Sequence, residues 1–298
     1  MKRSPLIVFG AILLLLLVGA SFLVFQEPTE PIAPIVPPAE ETIGVPSVPT
    51  STQVVIGTSV DGRALEAYTY GTGETDLLFV GGIHGGYEWN SILLAYEMID
   101  HLATNPTVIP ANVTVHIIPN LNPDGLFAAT GLEGKFVATD VKSNAMHTNG
   151  TGRMNTRGVD LNRNFACKWA PKSTWRSKEV SAGTAAFSEP EAAALRDYVA
   201  TITPTAAIFW HSQANNVYAS ECEDGVLPET LTLMNTYALA GNYGAVPVFD
   251  AYPITGDAEG WLASIGVPAV TVELESRTSI EWERNLAGVE AVFELYRK

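Results

Sequence analysis

Four apolar runs punctuate the chain, at residues 77–80, 113–118, 206–210 and 267–274. Each is short and continuous, the pattern of strands buried on both faces of a sheet. Between them the periodicity becomes that of helices. Residues 90–101 keep apolar side chains at 92, 93, 94, 96 and 99. Residues 192–199 follow Ser188-Glu189-Pro190-Glu191, a Ser-x-x-Glu capping box with proline in the first turn. Residues 231–240 and 285–296 complete the helical set. Strands alternating with helices predict an α/β fold, a single domain whose central mixed, mostly parallel sheet is flanked by helices. Ligands of such sheets bind beyond the carboxyl ends of the strands, which is where the polar residues considered next are expected.

The first 52 residues obey neither pattern. Behind Lys2 and Arg3, residues 5–25 run for 21 positions without a charge, so residues 1–26 read as a signal peptide or transmembrane anchor. About 20 apolar residues cross a bilayer, which leans toward an anchor. Gly19-Ala20-Ser21 leaves a cleavable signal open. Residues 27–52 carry proline at 28, 31, 34, 37, 38, 46 and 49 and read as a Pro-rich linker. Residues 53–298 have the size of one α/β domain. The expected location is extracytoplasmic, membrane-anchored or secreted.

Charge narrows the partners. A formal net charge of −15 with only 17 Lys and Arg argues against nucleic acid, whose binding needs clustered positive charge. Two cysteines, Cys167 and Cys222, are too few for a disulfide scaffold, but an exported pair can bridge.

Four polar constellations carry candidate chemistry. Gly81-Gly82-Ile83-His84-Gly85-Gly86-Tyr87-Glu88 ends a strand and delivers a histidine and a glutamate four residues apart, both able to reach one metal ion. His211 directly follows the apolar run at 206–210 and supplies a third candidate ligand; two His and one Glu form a known catalytic zinc set. Glu273 interrupts an apolar strand, where alternation makes it either a solvent-facing residue or a base beside a metal, with Glu275 as its rival. Arg153, Arg157 and Arg163 fall within 11 residues; their planar forks fit a carboxylate, or a loop salt bridge. His101, His116 and His147 read as ordinary helix, strand and loop histidines.

The order of these motifs resembles the zinc carboxypeptidases of the carboxypeptidase A-like family. His84…Glu88, Asn122-Pro123-Asp124-Gly125, Asp160-Leu161-Asn162-Arg163-Asn164-Phe165, Phe187-Ser188-Glu189-Pro190-Glu191, His211-Ser212 and Thr271-Val272-Glu273-Leu274 stand in the family's sequence. The resemblance, to the compact bacterial type without propeptide, makes 53–298 a zinc carboxypeptidase catalytic domain. It implies one Zn2+ held by His84, Glu88 and His211, and a terminal carboxylate gripped by Asn162 and Arg163. Glu273 is implied as general base, Arg153 as the arginine polarising the scissile carbonyl, and Tyr252 as a mobile tyrosine over the substrate. Glu259 falls at the side-chain pocket and implies a preference for Lys, Arg or another amino-bearing residue, with a surface glutamate as the alternative. The resemblance also implies a Cys167–Cys222 disulfide. The expected reaction is hydrolysis of the C-terminal residue of a peptide, or of a cell-wall peptide with a free C-terminal carboxylate. A zinc deacylase of N-acyl amino acids and a membrane-tethered inactive binding module are the alternatives.

Overall fold

A computed structural model of the chain describes residues 51–142 and 149–298. The N-terminal hydrophobic segment, the linker up to residue 50 and His147 lie outside the described residues. Among the described residues no helix is long and apolar enough to cross a membrane.

Eight strands form one mixed sheet: β1 (Thr52–Thr58), β2 (Ala64–Gly71), β3 (Thr75–Val80), β4 (Val113–Ile118), β7 (Ala206–Ser212), β8 (Asn216–Ala219), β9 (Gly244–Val246) and β10 (Ala269–Leu274). Their spatial order is β1-β2-β4-β3-β7-β10-β8-β9. The four central strands β4, β3, β7 and β10 are mutually parallel, and β1, β2 and β8 pair antiparallel at the flanks. A separate hairpin, β5 (Lys172–Trp175) and β6 (Lys178–Ser181), stands outside the sheet. Among the described residues six helices accompany the sheet: α1 (Trp89–Thr104), α2 (Pro123–Thr130), α3 (Pro190–Ile202), α4 (Pro228–Gly241), α5 (Ala258–Ser264) and α6 (Trp282–Tyr296).

The apolar runs become the sheet's centre because both faces are covered. Leu77, Phe79, Ile208, Trp210 and Val272 pack with α1, α4 and α6. Leu78, Val80, Ala207 and Phe209 face the opposite core with Leu195 of α3 and Leu262 of α5. Phe79 stacks on Trp210 at 5.4 Å and meets Phe293 of α6 edge-on at 6.4 Å. The indole of Trp210 is not left orphaned. Its Nε1 donates to Tyr237 Oη at 3.0 Å, and Tyr237 donates onward to Asn285 Oδ1 at 2.8 Å, as buried polar groups require.

Two local expectations need correction. The last central strand begins at Ala269, not 267, because Pro268 offers no N–H to a ladder. The capping box at α3 does not form: its N-cap is Glu189, without a side-chain bond. The Ser188 hydroxyl accepts from Asn164 Nδ2 at 3.0 Å, and Glu191 accepts from the Val60 N–H at 3.1 Å. Tertiary partners have taken both ends of the box. The flanking strands β1, β2, β8 and β9 and the β5–β6 hairpin lie outside the predicted runs, since half-exposed strands lack a continuous apolar signature.

Because the central strands are parallel, β3, β7 and β10 end at one edge of the sheet. That edge carries the chemistry.

Candidate metal centre

The loop leaving β3 turns sharply to place His84. Gly81 passes so near the neighbouring loop and α1 that an added Cβ would lie 2.7 Å from both Pro119 O and Ser91 O, and Gly82 adopts φ +66°. Only glycine suits both positions. Ser91 clamps the turn, accepting from Gly82 N at 3.1 Å and donating to Glu88 O at 2.7 Å. A 3₁₀ turn over Gly85–Glu88 then absorbs the four-residue spacing and brings Glu88 back beneath His84.

Three buried side chains converge. His84 Nδ1 lies 3.0 Å from Glu88 Oε1, His211 Nδ1 lies 3.2 Å from Glu88 Oε2, and the two Nδ1 atoms are 3.2 Å apart. One ligand atom from each residue falls within 4.8 Å of the others. His211 sits near the end of β7, on the face it shares with Phe209. Its Nε2 lies 3.1 Å from Glu259 Oε1, which also accepts from Thr271 Oγ1 at 2.9 Å. That contact keeps a proton on Nε2 and points Nδ1 inward. His84 Nε2 has no hydrogen-bond partner and faces Asp160 Oδ1 at 3.7 Å. Two imidazole nitrogens and a carboxylate aimed at one point fit a zinc ion with an open fourth position.

Burial, aided by the charge of Arg153, pushes His84 down to about 4. Desolvation also opposes charge on His211, but hydrogen bonds to Glu259 and Glu88 win and hold it up to about 10. Burial would raise Glu88, yet the two histidines hold it well below the usual carboxylate range. Two carboxylates, Glu88 and Glu259, thus face His211 in a setting that favours positive charge.

Glu273 is paired in register with His211 across the parallel strands β10 and β7. Its side chain is half-buried at the cavity wall, and Oε2 has no partner. Burial, then the charge of Glu88, pushes it up to about 7. The rival Glu275 is exposed and pairs with Arg284 at 3.2 Å. Arg153 is buried beside the cluster, with Nε donating to Asp160 Oδ2 at 2.9 Å and Nη1 3.8 Å from Glu88 Oε1. Its guanidinium also stacks over Trp175 at 4.7 Å. Arg157 points elsewhere, half-exposed and 3.5 Å from Glu189 Oε2.

A cavity of about 680 Å³ opens over these residues. Arg163 and Asn162 line it, as do Tyr252, Glu259 and Asp257. The Arg163 guanidinium is positioned by Thr174 O, at 3.2 Å from Nε and 3.1 Å from Nη2, and by Asn162 O. Asn162 is held by Ala258 N, which donates to its Oδ1 at 2.8 Å. Cys167 and Cys222 form a disulfide with Cα atoms 6.0 Å apart, and Cys167 lines the cavity, within the separation such a bridge allows.

Glu259 lines the cavity with one of its oxygens already engaged. It is 2 % exposed, so the surface alternative fails, and Oε1 is committed to His211 and Thr271. Only Oε2, which has no partner, is left for a ligand. Asp160 stands in the same motif as Asn162 and Arg163 and has a part of its own. Fully buried, it accepts from Arg153 and from Asn162 N at 3.1 Å while facing His84. A buried aspartate between two arginines in a cation-poor chain is the signal that could have found it.

Comparison with known proteins places the chain in a family. The zinc carboxypeptidase family model matches residues 47–279. The chain is 25% identical over 246 residues to the gamma-D-glutamyl-L-diamino acid endopeptidase 1 of Lysinibacillus sphaericus, covering 75% of this chain and 60% of that protein. It is 31% identical over 166 residues to bacteriocin BCN5 of Clostridium perfringens, covering 53% and 16%. It thus spans less than two thirds of the length of these relatives. Among solved structures, thrombin activatable fibrinolysis inhibitor aligns with TM-score 0.64 at 20% identity, covering 82% of this chain and 68% of that one. The murein-tripeptide amidase of Escherichia coli O157 aligns with TM-score 0.57 at 20% identity, covering 83% and 93%. At that identity the structural likeness concerns the fold; the family rests on the match over residues 47–279. The chain belongs to the zinc carboxypeptidase family.

Proposed function

We propose that this protein is a zinc-dependent exopeptidase that hydrolyses the bond preceding a residue with a free terminal carboxylate. The observation carrying this reading is the convergence of His84, Glu88 and His211 beside Glu273, in one cavity with the carboxylate-sized fork of Arg163. His84, Glu88 and His211 would hold a zinc ion, which would supply Lewis-acid activation of water and of the substrate carbonyl. Glu273 accepts a proton from the attacking water and returns it to the leaving amine. Its Oε2 is without a hydrogen-bond partner at the cavity wall, free to carry that proton. Arg153, fixed by Asp160, stabilises the negative charge developing on the carbonyl oxygen. Arg163 and Asn162 hold the terminal carboxylate and so set the scissile bond in place. Tyr252, at the rim against Phe249 with ring centroids 4.9 Å apart, closes over the bound residue.

The leaving residue's side chain meets Asp257 and Glu259. Burial, then the charge of Glu259, pushes Asp257 up to about 6, so a cationic group reaching this pair relieves like-charge repulsion. That favours Lys, Arg or a diamino acid. The cell-wall form of the reaction draws support from two relatives, a gamma-D-glutamyl-L-diamino acid endopeptidase and a murein-tripeptide amidase. The location, membrane-anchored or secreted, belongs to this proposal and rests on residues 5–25 of the sequence. An inactive binding module fits less well, because every ligand and the base face one cavity.

The test is incubation of the purified chain with peptides ending in Lys, Ala or diaminopimelate, with free or amidated termini, with and without chelator. Chelator-sensitive release of single residues from free termini alone is expected. Release from amidated peptides, or release that survives chelation and zinc depletion, overturns the reading.

A further inference from the structure

One wall of the cavity carries polar groups that neither the ligand set nor the base uses. Tyr87 Oη is buried without a hydrogen-bond partner, and so is Arg277 Nε. The Arg277 guanidinium stacks over the Tyr87 ring at 4.1 Å, and among the described residues no carboxylate pairs with it. Arg176, at the tip of the β5–β6 hairpin, lies 5.4 Å from the Trp175 ring and is likewise without a carboxylate partner there. Trp175 in turn packs edge-on against Tyr87 at 5.3 Å. Tyr87, Trp175, Arg176 and Arg277 all line the cavity. In a chain of net charge −15, two neighbouring arginines without anions are unusual. A buried phenol O–H and guanidinium N–H left unmade are costly unless a ligand completes them.

The wall is built to hold its shape. Asn90, two residues beyond Glu88, donates from Nδ2 to Ser276 O at 2.7 Å and Ser279 O at 2.8 Å, bracketing Arg277. The same asparagine accepts from Ser212 Oγ at 3.0 Å through its Oδ1. The segment bearing Arg277 is thereby tied both to the helix that follows Glu88 and to the strand bearing His211. Arg277 and Arg163 also serve different neighbours. Arg163 is held against Thr174 O and Asn162 O, whereas Arg277 stands over the ring of Tyr87, the residue next to the ligand Glu88. If Arg163 grips the leaving residue, the residue on the acyl side of the scissile bond meets the Tyr87–Arg277 wall.

We propose that Tyr87 and Arg277, assisted by Arg176, form an anion subsite that binds a free carboxylate on the acyl-side residue of the substrate. One carboxylate oxygen accepts from Tyr87 Oη and the other from the Arg277 guanidinium. The inference rests on the exopeptidase reading for its orientation along the substrate. Two peptide chemistries present such a group: the side chain of an α-linked glutamate, or the α-carboxylate of a γ-linked one.

Three peptides, Ala-Xaa-Lys with Xaa as α-linked Glu, γ-linked D-Glu or neutral Gln, decide the matter on the full chain loaded with zinc. At least one glutamate peptide should exceed the Gln peptide in kcat/KM by about 10- to 100-fold, the size of a charge-assisted hydrogen bond. The preferred one identifies the linkage. Arg277→Met and Tyr87→Phe should each pull that ratio toward one, chiefly through KM; the milder Tyr87→Phe guards against loss of folding in the other. Calorimetric binding of the same peptides to the Glu273→Gln protein reads the subsite without turnover. A ratio near one in the unmodified protein, or one unmoved by both substitutions, overturns the subsite. If no peptide is hydrolysed but the calorimetric preference appears and vanishes with Arg277→Met, the subsite stands and the exopeptidase reading falls.

Discussion

Zinc binding should release one proton, from His211 Nδ1. His211 Nδ1, 3.2 Å from Glu88 Oε2, carries that proton in the ion-free protein, because Glu259 and Glu88 overcome desolvation and hold the ring up to about 10. A metal needs the Nδ1 lone pair, so it must displace the proton, while Nε2 keeps its own against Glu259. His84, pushed down to about 4, is already neutral and releases nothing. The sign follows directly: below about pH 10 the site is increasingly occupied by a competing proton as pH falls. Apparent zinc affinity should drop about tenfold for each pH unit between pH 9 and 6, roughly 1.4 kcal/mol per unit and about 4 kcal/mol in all. Competition against a chromophoric chelator of known affinity at pH 6, 7, 8 and 9 measures the slope. Calorimetry in two buffers of different ionisation enthalpy counts the protons. Zinc affinity that is flat with pH after correction for the chelator, or calorimetry showing no proton released at pH 7 to 8, would falsify the assignment of that proton to His211.

Other outcomes follow from the same geometry. Glu273→Gln should lower kcat by about 10²- to 10⁴-fold while equilibrium dialysis still finds one zinc; retained turnover sinks the base assignment. Arg153→Ala should cost about 10²- to 10³-fold in kcat, whereas Arg157→Ala, half-exposed beside Glu189, should stay within about twofold, and the reverse ranking in steady-state kinetics contradicts the geometry. The Cys167–Cys222 bridge closes a separation of 55 residues, for which about 2–4 kcal/mol is expected. The Cys167→Ala, Cys222→Ala double variant should therefore melt roughly 5–15 °C lower by calorimetry, and an unchanged Tm removes the bridge from the account of stability.

Much of this protein was legible before folding. The four central strands announce themselves as continuous apolar runs because both of their faces are buried. The residues that end β3, β7 and β10 are legible for a related reason, since polar residues at the carboxyl ends of parallel strands fall at one edge of the sheet. His84, Glu88, His211 and Glu273 meet there as the motif order implied. What the sequence could not decide depends on contacts between distant segments. Which arginine lies beside the ligand cluster is decided by Asp160 and Trp175, which hold Arg153 there and leave Arg157 near solvent. Glu259 reads as a pocket residue in sequence, yet folding spends one of its oxygens on His211, 48 residues away. The capping box at α3 is locally correct and still fails, because Asn164 and Val60 compete for its two side chains. The Tyr87–Arg277 wall is invisible in the chain, its partners lying 190 residues apart until Asn90 ties their segments together. Local pattern records which surfaces are buried; pairing of charges and hydrogen bonds belongs to tertiary structure, where a donor's partner is set by proximity in space.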